Sequence, residues 1–294
     1  MMNKFFGTGV AMVTPFQPDG QVDFDGLNNL ISHLIDGGVE YLVVLGTTGE
    51  SATLNKEEKK KIFKFVSEKV NGRVPLVAGI GGNDTLEVVE LVKAFDSTGY
   101  DAILSVSPYY NKPTQEGIYQ HYKAVADAAP LPIILYNVPG RTGSNIAAET
   151  TVRLANDFDN IIGIKEAAGN FDQFNQILRD MPEGFLFISG DDPVTLPLIA
   201  MGGAGLISVV GNALPRELSD MVRQCLAGDF KAARKAHFDL IEFTRLMFVE
   251  GNPAGVKSAL KYIGICSDNL RLPLVPVSPA TAQAIISQIK KIKA

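Results

Sequence analysis

Cysteine and histidine are scarce, with Cys225 and Cys266 the two cysteines and His33, His121 and His237 the three histidines in 294 residues. The cysteines lie far apart, without the spacing of a zinc cluster or a disulfide framework, and this fits a reducing cytoplasm. No strand end carries paired histidines or a carboxylate cluster at metal-ligand spacing, so no metal centre is expected. The histidines all fall within helix-period segments and read as surface or packing residues. An excess of positive charge is also missing. A net charge of −5 argues against a nucleic-acid or anionic-membrane surface, because both partners need a basic face. No apolar run is long enough to span a bilayer. The opening "MMNKFFGTGVAMVTPF" is broken by Gly7, Gly9 and Pro15 and shows no small-residue cleavage site, so it reads as a first strand, not a signal peptide. Small solutes and other proteins remain as partners.

The composition, 46% hydrophobic and 20% charged, is that of an ordinary globular protein, and the length suits one large α/β barrel or two domains. Short apolar runs alternate with helix-period segments. Eight strands are expected: 9–15, 41–46, 75–80, 102–107, 132–137, 161–166, 185–190 and 205–210. Between the first two, Phe24, Leu27, Leu30, Ile31, Leu34 and Ile35 repeat at helical spacing. Asp23 or Asp25 can start that helix, and Asn55 with Glu58 has the form of a capping box. Continuously apolar strands separated by amphipathic helices belong to parallel sheets covered by helices. Eight such units favour a closed (β/α)8 TIM barrel over 1–227, followed by a small C-terminal helical domain over 228–294 that reads as helical throughout.

In this fold the active site lies at the carboxyl ends of the strands. Those ends read Thr14, "GTTGES" (46–51), "GGN" (81–83), "PYYN" (108–111), "YNVPGRTG" (136–143), Lys165–Glu166, "SGDD" (189–192) and "SVVGN" (208–212). The adjacent Asp191 and Asp192 are expected to cap or order a loop. The "GTTGES" turn lacks a Walker lysine, and its backbone N–H groups with Thr47 and Thr48 suit a small carboxylate.

Lys165 follows Ile161, Ile162 and Ile164 at the end of a strand. Burial disfavours the charged amine and leaves free base to attack a carbonyl; the competing structural reading is a lysine that snorkels out or pairs with Glu166. Tyr136 ends the neighbouring strand, where a phenol can move the protons that imine formation requires. Arg141, in a Gly/Pro-rich loop, can hold a substrate carboxylate or stand as an exposed loop residue.

Taken in order, "GTTGES", "PYYNKPTQEGIYQHY", "ILYNVPGRTG", "IIGIKEAAGN", "SGDD", "GLISV", "FVEGNPAGVKSAL" and "LRLPLVP" resemble the 4-hydroxy-tetrahydrodipicolinate synthase family of class I aldolase-like barrels over nearly the whole chain. The resemblance implies that Lys165 forms a Schiff base with pyruvate, whose enamine attacks L-aspartate 4-semialdehyde in lysine and diaminopimelate biosynthesis. It implies a proton relay of Tyr136, Thr47 and Tyr110, with Tyr110 supplied by a neighbouring subunit. Thr48 and the backbone near Ile207 would line the pyruvate site, and Arg141 would bind the semialdehyde carboxylate. No cofactor is implied, and the assembly would be a homotetramer of two tight dimers in the cytoplasm.

Ser51, Ala52, Asn83, Glu87 and Tyr109 match a lysine-binding allosteric site of inhibited relatives. Lys56 and Lys59, however, stand where some sensitive relatives have histidines, and two ammonium groups would repel a cationic effector, so weak or absent inhibition is expected. N-acetylneuraminate lyase and 2-keto-3-deoxy sugar-acid aldolases share the barrel, lysine and tyrosine. The paired threonines of "GTTGES" favour the synthase. A pyridoxal-phosphate barrel lacks an evident partner for the pyridine nitrogen. A barrel repurposed for binding alone would not need the full set of reactive groups.

Overall fold

The computed structural model describes residues 2–293. Eight parallel strands close into a barrel in sequence order: β1 (Gly7–Ala11), β2 (Tyr41–Val44), β3 (Leu76–Gly79), β4 (Ala102–Val106), β5 (Ile133–Asn137), β6 (Ile161–Glu166), β7 (Leu186–Ser189) and β8 (Gly205–Ser208). β8 pairs back onto β1. The first strand lies earlier than the expected 9–15. Gly7 can take the φ of 97° that opens the strand, and after Ala11 the chain bends to place Val13 N on the Asn212 carboxamide.

The helices form where apolar spacing and caps coincide. The helix Phe24–Asp36 starts at Asp23, whose side chain accepts from Gly26 N, a cap contributing about 1 kcal/mol. It buries Leu27, Leu30, Ile31 and Leu34 against the strands, each contributing roughly 1.5–3 kcal/mol relative to exposure. The helix Lys56–Val70 carries the full capping box of Asn55 and Glu58.

Two apolar layers result, one between strands and helices and one inside the barrel. At the amino-terminal end of the barrel interior, the Tyr41 ring is fully buried and meets Phe5 edge-on. Gly9 makes room for that ring, since a Cβ there would stand 2.1 Å from Tyr41 Cε2. The interior is therefore filled below and carries polar groups at the carboxyl-terminal end.

Beyond the turn at Gly228 the chain forms the helices Phe230–Leu246, Ala254–Tyr262 and Pro279–Ile292. They pack on one another and on the last barrel helix, Pro215–Leu226. This segment is not helical throughout: residues 263–278 form an irregular strap, because Pro273 and Pro276 remove helix donors and its polar groups bond to the barrel instead. Among the described residues no helix is long and apolar enough to cross a membrane.

Candidate active site

Lys165 lies on β6 with its side chain inside the barrel, 5% exposed. Its orientation depends on a break in alternation. Ile133 pairs with Ile161 but Ile134 pairs with Gly163, so β6 carries one extra residue. Ile161 and Ile164 both pack into the outer layer, while Ile162 packs inward. Strict alternation from Ile161 would have sent Lys165 outward and Glu166 inward. The bulge reverses this phase. Gly163 permits the close approach, because a Cβ there would meet Leu186 O at 2.7 Å.

Tyr136 and Lys165 are register partners on β5 and β6, and Lys165 Nζ lies 4.3 Å from the Tyr136 ring centroid. Among the described residues Lys165 makes no ion pair. Glu166, the alternative partner, points outward. Its carboxylate accepts from Asn137 Nδ2, Gln173 Nε2 and Ala168 N, and burial still raises its pKa. The lysine is thus left as a buried amine over a phenol ring.

Thr47 and Thr48 sit in a 3-10 turn, Thr47–Gly49, directly after β2. Leu45 and Glu50 flank it with φ of 59° and 52°, which non-glycine residues rarely adopt. Thr14 Oγ1 donates to Gly49 O at 2.7 Å, and Thr48 Oγ1 accepts from Asn252 Nδ2 at 3.0 Å. Ile207 on β8 is buried in the inner layer.

Asp192 orders the adjoining loop as expected: it accepts from Ser208 Oγ at 2.5 Å and Val209 N at 3.1 Å. Burial, then the Asp192 charge, pushes the Asp191 carboxyl up to about 6, with the Lys165 charge acting in the opposite direction. Gly190 brings this loop over the lysine, since its Cβ would stand 3.1 Å from Lys165 Cε.

Two expected residues are exposed. Arg141 is exposed in the short helix Pro139–Thr142 and makes no ion pair among the described residues. Tyr110 is 86% exposed with a φ of 72°, a strained presentation of the phenol to the surroundings.

Of the allosteric set, Asn83 Nδ2 donates to Tyr109 O at 3.2 Å, while Ser51 and Ala52 form the turn Ser51–Thr53. Glu87 is met by Lys56 Nζ at 3.5 Å. The three histidines lie in helices, and burial pushes His121 down to about 4. No cluster of three or more His, Cys, Asp or Glu side chains suited to a metal occurs among the described residues.

Sequence reasoning missed Asn252, Lys257 and the Gly163 bulge. Lys257 had a signal: it sits among Val256, Ala259 and Leu260, the same apolar setting that drew attention to Lys165.

A closed parallel barrel with polar groups at the carboxyl ends of its strands is the architecture of barrel enzymes, and a buried amine beside a phenol is suited to imine chemistry. The sequence model of the dihydrodipicolinate synthetase family matches residues 4–292, and the chain belongs to this family. The 4-hydroxy-tetrahydrodipicolinate synthase of Parabacteroides distasonis is 54% identical over 286 residues, 97% of this chain and 96% of that protein. The dihydrodipicolinate synthase structure from Thermotoga maritima superposes with a TM-score of 0.96 at 40% identity, covering 99% of both chains. The chloride-inhibited enzyme from Acinetobacter baumannii complexed with pyruvate gives 0.95 at 40% identity, covering 98% of this chain and 99% of that one.

Proposed function

We propose that this protein condenses pyruvate with L-aspartate 4-semialdehyde, through an imine on Lys165, to give 4-hydroxy-tetrahydrodipicolinate in the route to diaminopimelate and lysine. The observation that carries the assignment of residues is the Lys165 amine, buried without an ion pair and held over Tyr136 at the carboxyl ends of β5 and β6.

The amine attacks the pyruvate ketone carbon, and the carbinolamine loses water once its hydroxyl is protonated. Removal of a methyl proton gives the enamine, which attacks the semialdehyde aldehyde carbon. The semialdehyde amine then adds to the imine carbon and expels Lys165 as the ring closes. Every step moves a proton, which is the task of Tyr136 with Thr47 and, from a neighbouring copy, Tyr110. Thr48 and the backbone near Ile207 hold the pyruvate carboxylate, and the unpaired Arg141 guanidinium at the rim holds that of the semialdehyde.

The exposed, strained Tyr110 supports a relay shared between subunits, and hence a homo-oligomer, a tetramer built from two tight dimers. The reading treats 1–227 as the catalytic barrel and 228–294 as a helical unit, in a cytoplasmic enzyme that needs no cofactor. Lysine regulation through Ser51, Ala52, Asn83, Glu87 and Tyr109 is weak or absent on this reading, because Lys56, 3.5 Å from the Glu87 carboxylate, and Lys59 on the same helix set two ammonium groups against a cationic effector.

The test follows NADPH oxidation with a separate dihydrodipicolinate reductase. Oxidation that requires this protein, pyruvate and the semialdehyde together is expected. Folded protein that traps pyruvate but gives no oxidation would shift the assignment to an aldolase with another aldehyde acceptor.

A further inference from the structure

The turn that carries Thr47 and Thr48 is held from outside the barrel. Asn252, just before the helix Ala254–Tyr262, is 7% exposed, and its Nδ2 donates to Thr48 Oγ1 at 3.0 Å. The Asn252 Oδ1 is buried without a hydrogen-bond partner among the described residues, and among them the Thr48 hydroxyl donates to nothing. A hydroxyl has one proton and two lone pairs, so a threonine oxygen that accepts on one side directs its proton elsewhere.

Glu50 anchors the other end of the turn. Lys257 Nζ donates to Glu50 Oε1 at 2.5 Å and to Asn269 O at 2.8 Å, and Arg271 N donates to Glu50 Oε2 at 3.1 Å. Both members of the Lys257–Glu50 pair are buried, and Lys257 Nζ also lies 4.3 Å from the Phe16 ring centroid. The Glu50 backbone, at φ 52° and ψ 35°, is one that a side chain disfavours. Its buried carboxylate ties that conformation to the C-terminal segment.

We propose that Asn252 is a positioning residue for substrate: by donating to Thr48 Oγ1 it aims the Thr48 hydroxyl proton at the pyruvate carboxylate, on a turn that Lys257 and Glu50 fix in place. The helical segment thereby completes the anion site of the barrel. This rests on the proposed pyruvate chemistry.

The full-length protein and its Asn252→Asp and Asn252→Ala variants are compared for kcat/KM toward each substrate, and for borohydride-trapped pyruvate adduct at saturating pyruvate. Aspartate is close in shape but its carboxylate only accepts, so it captures the Thr48 proton and sets a negative charge behind the site. The expected result is a fall in kcat/KM for pyruvate of at least about tenfold in Asn252→Asp, and a smaller fall in Asn252→Ala. The value for the semialdehyde should change much less, and the adduct should still form at saturation. The ratio of the two kcat/KM values does not depend on how much protein is folded, so it separates positioning from stability. An unchanged ratio in Asn252→Asp overturns the proposal, because an amide that accepted from Thr48 would be replaced by aspartate without loss. A wild-type protein that traps no pyruvate overturns the underlying function instead.

Discussion

Tyr136 and Lys165 face each other across one rung of the β5–β6 ladder, with the lysine nitrogen 4.3 Å from the tyrosine ring centroid. Lys165→Ala is expected to abolish the pyruvate adduct seen by mass spectrometry after borohydride reduction. Tyr136→Phe should still form it slowly, with kcat lowered about 10²–10⁴-fold, the usual contribution of a positioned proton donor. An adduct that persists in Lys165→Ala refutes the assignment of the nucleophile.

The bulge at Gly163 makes that facing possible. Gly163→Ala forces a methyl group to 2.7 Å from Leu186 O and is expected to cost about 1–3 kcal/mol in urea denaturation. Activity per folded molecule should fall as well, since relief of the clash shifts β6 and turns Lys165. Full activity in the folded fraction contradicts a role for the bulge in aiming the amine.

Removing one partner of the buried Lys257–Glu50 pair leaves the other charge uncompensated. Lys257→Met alone should lower stability by roughly 3–5 kcal/mol, and adding Glu50→Gln should restore part of that loss. A double variant no more stable than Lys257→Met would contradict the uncompensated Glu50 carboxylate as the source of the loss.

Asp191 gives a pH dependence with a definite sign. Its folded pKa is raised from 3.8 to about 6, so the folded chain binds this proton more tightly than the unfolded chain does. The resulting stabilisation is complete below the lower value and is lost as pH rises through about 6. Asp191→Asn should therefore lessen the decline in urea midpoint across this window, by a free energy on the order of 1–3 kcal/mol. Parallel pH profiles for wild type and variant would contradict it.

Lysine inhibition should be weak or absent, because Lys56 lies 3.5 Å from the Glu87 carboxylate and Lys59 stands on the same helix. A lysine titration of the coupled assay should show no inhibition at micromolar concentration. Replacing both residues with histidine should increase sensitivity. Micromolar inhibition of the unaltered enzyme defeats this prediction.

The alternation of apolar strands and amphipathic helices was legible because each element repeats with its own period, and a parallel barrel is the closed arrangement that buries all eight strands on both faces. The strand ends were legible too, since polar residues that interrupt such runs stand where the fold puts its site. The strap over 263–278 departs from the helical expectation: Pro273 and Pro276 stand in the sequence, but the barrel groups that receive its polar atoms are set only by the fold.

The element order and the family likeness follow from local pattern, and that likeness singles out Lys165 and Tyr136 as the candidate reactive pair. Tertiary structure decided which way Lys165 points, because a one-residue bulge reverses the phase of β6 and is defined only by the register of its neighbours. It also decided that Thr48 meets Asn252 and that Glu50 meets Lys257, contacts across about two hundred residues that no local period encodes.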